Sequence, residues 1–204
     1  MKKIILLLVL VMSTTIAGAQ VGEKSFIYST TEFNLGNYLG LSFGLNYIHN
    51  NKYSFKLGYS GNLRKPKSQP EDFVPSVPGT VLLQGLLHPY DLLQNYHISA
   101  GKIYNLNEEG TIRLNASVGL GYTIIKEPEN WVKKGGGPLA DNYDWNYSRH
   151  NTVSLVVSPR IEVPFFHVYG LTISPTVQVS PKRVYFGIGV GNMVGILRTA
   201  KTHQ

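Results

Sequence analysis

The sequence predicts an all-β protein, an antiparallel up-and-down transmembrane β-barrel of about eight strands, and three observations carry that expectation. Apolar residues alternate with polar or tiny ones at a period of two along most of the chain. Many of these runs are longer than the strands of soluble sheets. The two longest connections between them fall at one end of such a barrel.

The alternation is clearest from Ile112 to Ile124, where Ile112, Leu114, Ala116, Val118, Leu120, Tyr122 and Ile124 oppose Arg113, Asn115, Ser117, Gly119, Gly121 and Thr123. Leu39, Leu41, Phe43, Leu45 and Tyr47 stand against Gly40, Ser42, Gly44 and Asn46. Tyr53, Phe55, Leu57 and Tyr59 stand against Ser54, Lys56, Gly58 and Ser60. Late in the chain Val153, Leu155, Val157, Ile161 and Val163 oppose Ser154, Ser158, Arg160 and Glu162, with Val156 out of phase. Leu171, Ile173, Val177 and Val179 follow, and Val184, Phe186, Ile188, Val190, Val194 and Ile196 close the series against Tyr185 and a row of glycines. A soluble sandwich also alternates, so length has to choose the solvent: a tilted membrane strand needs roughly 9 to 11 residues, and soluble strands average about five or six. Polar faces rich in Gly, Ser and Thr suit the crowded lumen of a narrow barrel.

The expected strands are 25–34, 38–48, 52–61, 93–104, 111–125, 152–164, 168–179 and 183–197. Links after the second, fourth and sixth are short, and the long segments 62–92 and 126–151 follow the third and fifth. That sorting fits external loops opposite periplasmic turns. Tyr47, Tyr53, Tyr104, Phe165, Phe166 and Tyr169 cluster at the short turns, where an interfacial girdle belongs. Three features depart from the pattern. The first strand has no clean phase over Ser25 to Glu32, Lys102 interrupts the apolar face of Tyr96, Ile98 and Ala100, and Pro159 and Pro175 sit inside strands. Both prolines lie equally far from His167, so a hairpin centred there sets them opposite each other in one local defect.

The N-terminus sets the compartment. Lys2 and Lys3 precede an apolar stretch from Ile4 to Met12, and Ala17-Gly18-Ala19 supplies small residues for a signal peptidase. Residues 1–19 are expected to be a cleaved signal peptide and residues 20–204 a single outer-membrane β-barrel domain. Loss of Lys2 and Lys3 takes the net charge from +7 to +5. With 21 Gly, 13 Tyr and no basic cluster, the composition speaks against nucleic acid as a partner. The absence of Cys excludes both a lipidated N-terminal Cys and disulfides.

The leader ending in Ala19-Gln20, the Gly- and Tyr-rich strands and the late hairpin with Ser158-Pro159 and Ser174-Pro175 resemble the small outer-membrane β-barrel proteins of Bacteroidota, a porin-like or OmpA-OmpX-like group. The resemblance spans the mature chain. It implies the outer membrane of a Gram-negative bacterium and a last strand carrying a Gly-x-x-apolar-x-apolar signal, which Gly191 to Ile196 matches. A polar tail, Arg198 to Gln204, stands where a terminal aromatic is usual.

Catalytic strings carry little weight here. Gly40-Leu41-Ser42-Phe43-Gly44 spells a nucleophile elbow but lies in unbroken alternation, without the strand-turn-helix setting it needs. Gly187 to Gly191 is likewise a row on a strand face. His97 and Ser99 share one face of a strand, as in lipid A deacylases, with Glu108 and Glu109 further along, so an outer-membrane lipid hydrolase is the alternative function. The six His residues are scattered without ligand spacing, and no metal or cofactor is expected.

Lys56, Arg113, Arg160 and Glu162, with Glu32, are expected to point into the lumen and pair there. Partners are expected to be outer-membrane lipid and an unidentified protein or ligand at the external loops, which are balanced in charge. Leu82, Leu83, Leu86 and Leu87 share helical spacing in the first loop, and Trp131 and Trp145 flank three glycines in the second. The leading expectation is thus a non-enzymatic barrel that binds through its loops or supports the envelope. Mature protein should begin at Gln20, fractionate with outer membranes and migrate heat-modifiably; recovery as a detergent-free soluble monomer would refute the barrel.

Overall fold

The structure, a computed structural model, describes residues 25–76, 89–108, 111–137 and 139–198. Eight strands, β1 (Phe26–Gly36), β2 (Leu39–His49), β3 (Tyr53–Arg64), β4 (Asp91–Asn105), β5 (Arg113–Lys133), β6 (Tyr143–Val163), β7 (Tyr169–Val179) and β8 (Val184–Ile196), each pair antiparallel with the next. β8 returns to β1, from Ile27↔Ile196 to Gly36↔Gly187, and closes the ring.

Period-two alternation decides which face looks out. On β2 the side chains of Leu39, Leu41, Phe43, Leu45 and Tyr47 are 40–54% exposed, while Ser42 and Asn46 are buried. The same inversion runs round the wall: Glu32, Arg113, Arg160 and Glu162 are at most 4% exposed, and Phe, Leu, Ile and Val cover the outside. A continuous apolar surface of this extent far exceeds the few hundred Å² that soluble monomers expose. Hydrocarbon is the solvent that suits it, and a closed barrel is the β-structure that hydrocarbon permits. With an even number of strands, tight turns at one end and long connections at the other, the chain is an outer-membrane β-barrel of the Gram-negative type.

Two aromatic belts mark the membrane faces. Tyr47, Tyr53, Tyr104, Phe165, Phe166 and Tyr169 are all exposed near the short turns. Towards the other end, Tyr59, Tyr96 and Tyr122 stand side by side on β3, β4 and β5. From Tyr96 to Tyr104 the strand climbs about 26 Å at ~3.3 Å per residue, or roughly 20 Å of membrane after a tilt near 40°.

The first strand is regular after all. Phe26, Tyr28, Thr30, Glu32 and Asn34 point inward, and Ile27, Ser29, Thr31, Phe33 and Leu35 outward. Two inward aromatics and two outward hydroxyls hide this phase from a hydropathy reading. Asn50 and Asn51 take φ of 51° and 53° in the β2–β3 turn, closed by the Lys52 N–H donating to the His49 carbonyl at 3.0 Å. That is the primed turn whose twist suits a two-residue hairpin. Between β6 and β7 the ladder runs from Leu155↔Val179 to Val157↔Val177 and resumes at Ile161↔Ile173, so Pro159 and Pro175 do face each other across a gap. The Ser117 hydroxyl donates to the Ser158 carbonyl there at 2.8 Å, and the Ser158 and Thr176 hydroxyls lie 2.9 Å apart.

The segment 126–151 requires correction as a loop. Strands β5 and β6 run 21 residues each, so the connection shrinks to 134–142. Outside the bilayer both faces of a hairpin meet water, and backbone pairing continues without the hydropathy period that reveals it. Residues 62–64 and 91–92 likewise belong to β3 and β4, where Arg64 meets Asp91 at 2.7 Å.

Within the membrane Val118 and Leu120 are 52% and 67% exposed, so Val118→Arg or Leu120→Arg should cost about 2–4 kcal/mol near the midplane. Unfolding of detergent-refolded variants measures the loss, and a change below about 0.5 kcal/mol would contradict the outward facing.

Candidate functional site

The lumen is packed in layers. Phe26, Tyr28, Ile48, Ile103, Met193 and Leu197 form an apolar cluster towards the short turns, and Tyr38, Leu93, Ile125 and Tyr185 form another towards the long connections. Charged residues fill the space between. Glu162 accepts from Arg113 at 2.6 Å, Tyr28 at 2.7 Å and Asn115 at 3.0 Å. Arg160 lies 3.6 Å from Glu162 and 3.4 Å from Glu32, and donates to Asn46 at 2.9 Å and Ser174 at 3.1 Å. Glu32 also accepts from Ser174 at 2.5 Å, Thr172 at 2.8 Å and Ser42 at 3.2 Å. Lys56 corrects the expectation of mutual pairing: it lines the lumen, yet among the described residues it has no ion pair. Its stem lies against Gly44, leaving two carboxylates to two better-placed guanidinium groups.

His97 is on the same inward face and packs its imidazole across Gly58 of β3, where a Cβ would collide with the ring. Its described hydrogen-bond partner is Asn95, 3.4 Å from Nδ1. Ser99 follows on that face without a bond to His97, and Glu108 lies beyond the end of β4. The cavity beside His97 measures about 30 Å³, the volume of a single water and far below that of an acyl ester. Among the described residues no triad geometry is assembled around His97 and Ser99. Among the described residues no group of three His, Asp or Glu is disposed to hold a metal.

With the lumen occupied by these side chains, contact with the outside falls to the long connections. Beyond Lys126, β5 loses β4 as a neighbour, and among the described residues β6 pairs only with β5 over residues 143–154. The two strands therefore project as a hairpin. A bulge between Glu129 and Val132, with Asn130 at φ 57°, sets Asn130 and Trp131 against Trp145. Bulges of this kind re-aim a side chain, and here Trp131 comes within 5.5 Å of Trp145, centroid to centroid. Phe73 stacks edge-on against both, at 5.7 Å and 6.1 Å, and Tyr143 completes the cluster.

Phe73 belongs to a strap, residues 65–76, fastened across the hairpin. The Ser68 hydroxyl donates to the Pro128 carbonyl at 2.8 Å and accepts from Trp131 at 3.3 Å. Asp72 accepts from Lys133 and Tyr143, both at 2.6 Å, and Asn142 bonds the Asp72 carbonyl and the Val74 N–H, each at 2.7 Å. Trp131 and Trp145 are thus brought together, and the long connections pack on each other. Leu82, Leu83, Leu86 and Leu87 lie outside the described residues. Sequence reasoning missed Phe73 and Asp72, whose only signal was an aromatic and an acid inside a Pro-rich stretch.

No protein-family model and no curated protein matches the chain. The solved structures it is similar to include several small barrels. Ail, the attachment invasion locus protein of Yersinia pestis, is 12% identical over 85% of this chain and 95% of that one, with a TM-score of 0.46. Neisserial surface protein A is 12% identical over 83% and 94%, at 0.44. The N-terminal β-barrel domain of Pseudomonas aeruginosa OprF is 10% identical over 86% and 99%, at 0.45. At such identities no functional residue is carried over from them.

The strap carries its own reporter, because the chain has just two Trp and both lie in the cluster. Hydrogen bonds from Lys133 and then Tyr143 hold the Asp72 carboxyl below its usual range. An acid with a depressed folded pKa stabilises above its unfolded pKa, and that contribution is lost as pH falls through the folded one. Tryptophan emission should therefore shift to the red only on acidification below the ordinary carboxylate range. Asp72→Asn should abolish that acid step and start from a redder spectrum at neutral pH; a variant that titrates like wild type would detach Asp72 from the brace.

Proposed function

We propose that this chain is a non-enzymatic outer-membrane protein that engages a protein or ligand outside the cell through the projecting β5–β6 hairpin and its strap. The observation that carries this reading is the hairpin itself: one edge is clamped by the strap, and among the described residues no strand pairs with the other edge along residues 143–154. Exposed apolar side chains sit on the same structure, with Val74 61%, Val132 59%, Leu139 81% and Tyr147 48% exposed. An aromatic cluster held by hydrogen bonds loses little further entropy on binding, which favours it as an anchor. Balanced charge, with Lys133 on Asp72 and Lys134 on Asp144, argues for a partner other than a polyanion.

On this reading residues 1–19 are the export signal, residues 20–204 the barrel, and Leu82, Leu83, Leu86 and Leu87 are candidate partner contacts alongside Trp131 and Trp145. The signal, the Gly- and Tyr-rich strands and the late hairpin support a Bacteroidota-type barrel. Lys56, Arg113, Arg160 and Glu162 serve the wall rather than a pathway. His97 and Ser99 are left to the lumen, and an acyl-lipid profile that changed with His97→Ala would replace this reading by the hydrolase.

The hairpin is tested by a photo-crosslinker at position 139 or 147 on intact cells. A discrete adduct is expected, and Trp131→Ser with Trp145→Ser should reduce it at least ten-fold, on the order of a hot-spot loss, while the barrel stays heat-modifiable. No adduct, or failure of the double variant to assemble, would reassign the hairpin to structural bracing.

A further inference from the structure

The outward face of β3, β4 and β5 is interrupted near its lower edge. Register aligns Leu57, Ile98 and Leu120 in one row and Phe55, Ala100 and Val118 in the next. Ala100 offers a single methyl where its neighbours are large, and it lies in a shallow apolar depression of about 540 Å³ that extends from Ile27, Leu45 and Tyr47 on β1 and β2 to Val118 and Leu120 on β5. Roughly 300–1,000 Å³ is the range of small-molecule sites. The row below it is Tyr53, Lys102 and Ala116.

Lys102 is the residue that broke the apolar face of β4, and its position has a consequence. A cation on a lipid face is tolerated near the interface, and Lys102 is two residues from girdle residue Tyr104, with Nζ 5.0 Å from that ring's centroid. Lys52, in the β2–β3 turn, holds Nζ 5.4 Å from the ring of Tyr53, the cross-strand neighbour of Lys102. The two ammonium groups therefore lie over the girdle rings of Tyr53 and Tyr104, and Lys102 stands one row below Ala100. Among the described residues neither has a carboxylate partner.

We infer that this face is a seat for one anionic phospholipid of the leaflet at the short turns, its acyl chain in the depression over Ala100 and its phosphate on Lys52 and Lys102. Charge complementarity selects this occupant over a second copy of the chain, since a two-fold contact through the depression would bring like-charged lysine pairs together. A zwitterionic lipid would fill the hollow equally but gain less from two cations.

The test uses the mature barrel in neutral detergent, with phosphatidylglycerol or phosphatidylcholine of identical chains, read by native mass spectrometry. Wild type should retain one phosphatidylglycerol at least ten-fold better than phosphatidylcholine. Lys52→Gln with Lys102→Gln should erase that preference, at about five-fold per lysine. Ala100→Leu, which fills the hollow, should weaken both lipids. Equal retention of the two lipids by wild type, an unchanged double lysine variant, or a lipid-free dimer sensitive to Ala100→Leu would each overturn the assignment. The lysine variants alter only exposed side chains, so they decide the matter even where Ala100→Leu fails to assemble.

Discussion

A bilayer supplies no hydrogen bonds, so every backbone N–H and C=O in the wall has to be met by a neighbouring strand. The seam between β1 and β8 is where that requirement is completed, with ten consecutive register pairs from Ile27↔Ile196 to Gly36↔Gly187. Closure with eight strands fixes a narrow circumference, and the narrowness dictates the inward residues. Gly58 is one case, because the imidazole of His97 occupies the space a Cβ would need. The break in the β6–β7 ladder, at Pro159 and Pro175, shows the same rule from the other side: side-chain hydroxyls from Ser117, Ser158 and Thr176 gather where backbone pairing lapses.

A narrow lumen also decides what charged residues can do. Arg113, Arg160, Glu32 and Glu162 are almost wholly removed from solvent, and the cost of desolvating them is large unless each is paired and hydrogen-bonded. Glu162 meets that condition through β1, by Tyr28, and through β5, by Arg113 and Asn115. Arg113 reaches on to the Leu197 carbonyl at 3.0 Å, tying the end of the last strand into the network. With apolar clusters above and below, the ion pairs act as internal cross-braces of the ring.

The parts of this fold legible in the sequence are those where one face meets lipid and the other meets the lumen. Leu39 to Tyr47, Ile112 to Ile124 and Val184 to Ile196 announce themselves because hydropathy follows the pleat. The signal fails where that contrast disappears. Phe26 and Tyr28 are aromatics on the inward face, so β1 looks unphased although its pleat is regular. Residues 127–133 and 143–151 lie beyond the membrane, where no lipid face contrasts with a lumen face, so a strand hairpin reads as a loop. The proline pair was legible because symmetry about His167 needs only counting. Phe73 was not: its role depends on a strap crossing a hairpin, and no periodicity encodes a contact between segments so far apart in sequence.

The hairpin's stability and its openness are linked. Two strands paired only with each other are marginal in water, and the stretch of β5 and β6 beyond the rim is such a pair. The strap changes that by adding a third layer of contacts on the β5 side and at the tip, through Ser68, Asp72, Phe73 and Val74. Had it crossed β6 instead, the Tyr143–Ser154 edge would have been consumed in bracing. Because it lies on β5, the hairpin is braced while, among the described residues, no strand takes up the backbone groups of the opposite edge. That asymmetry, rather than any single residue, separates the part of the chain that is committed to the membrane from the part that can meet something outside it.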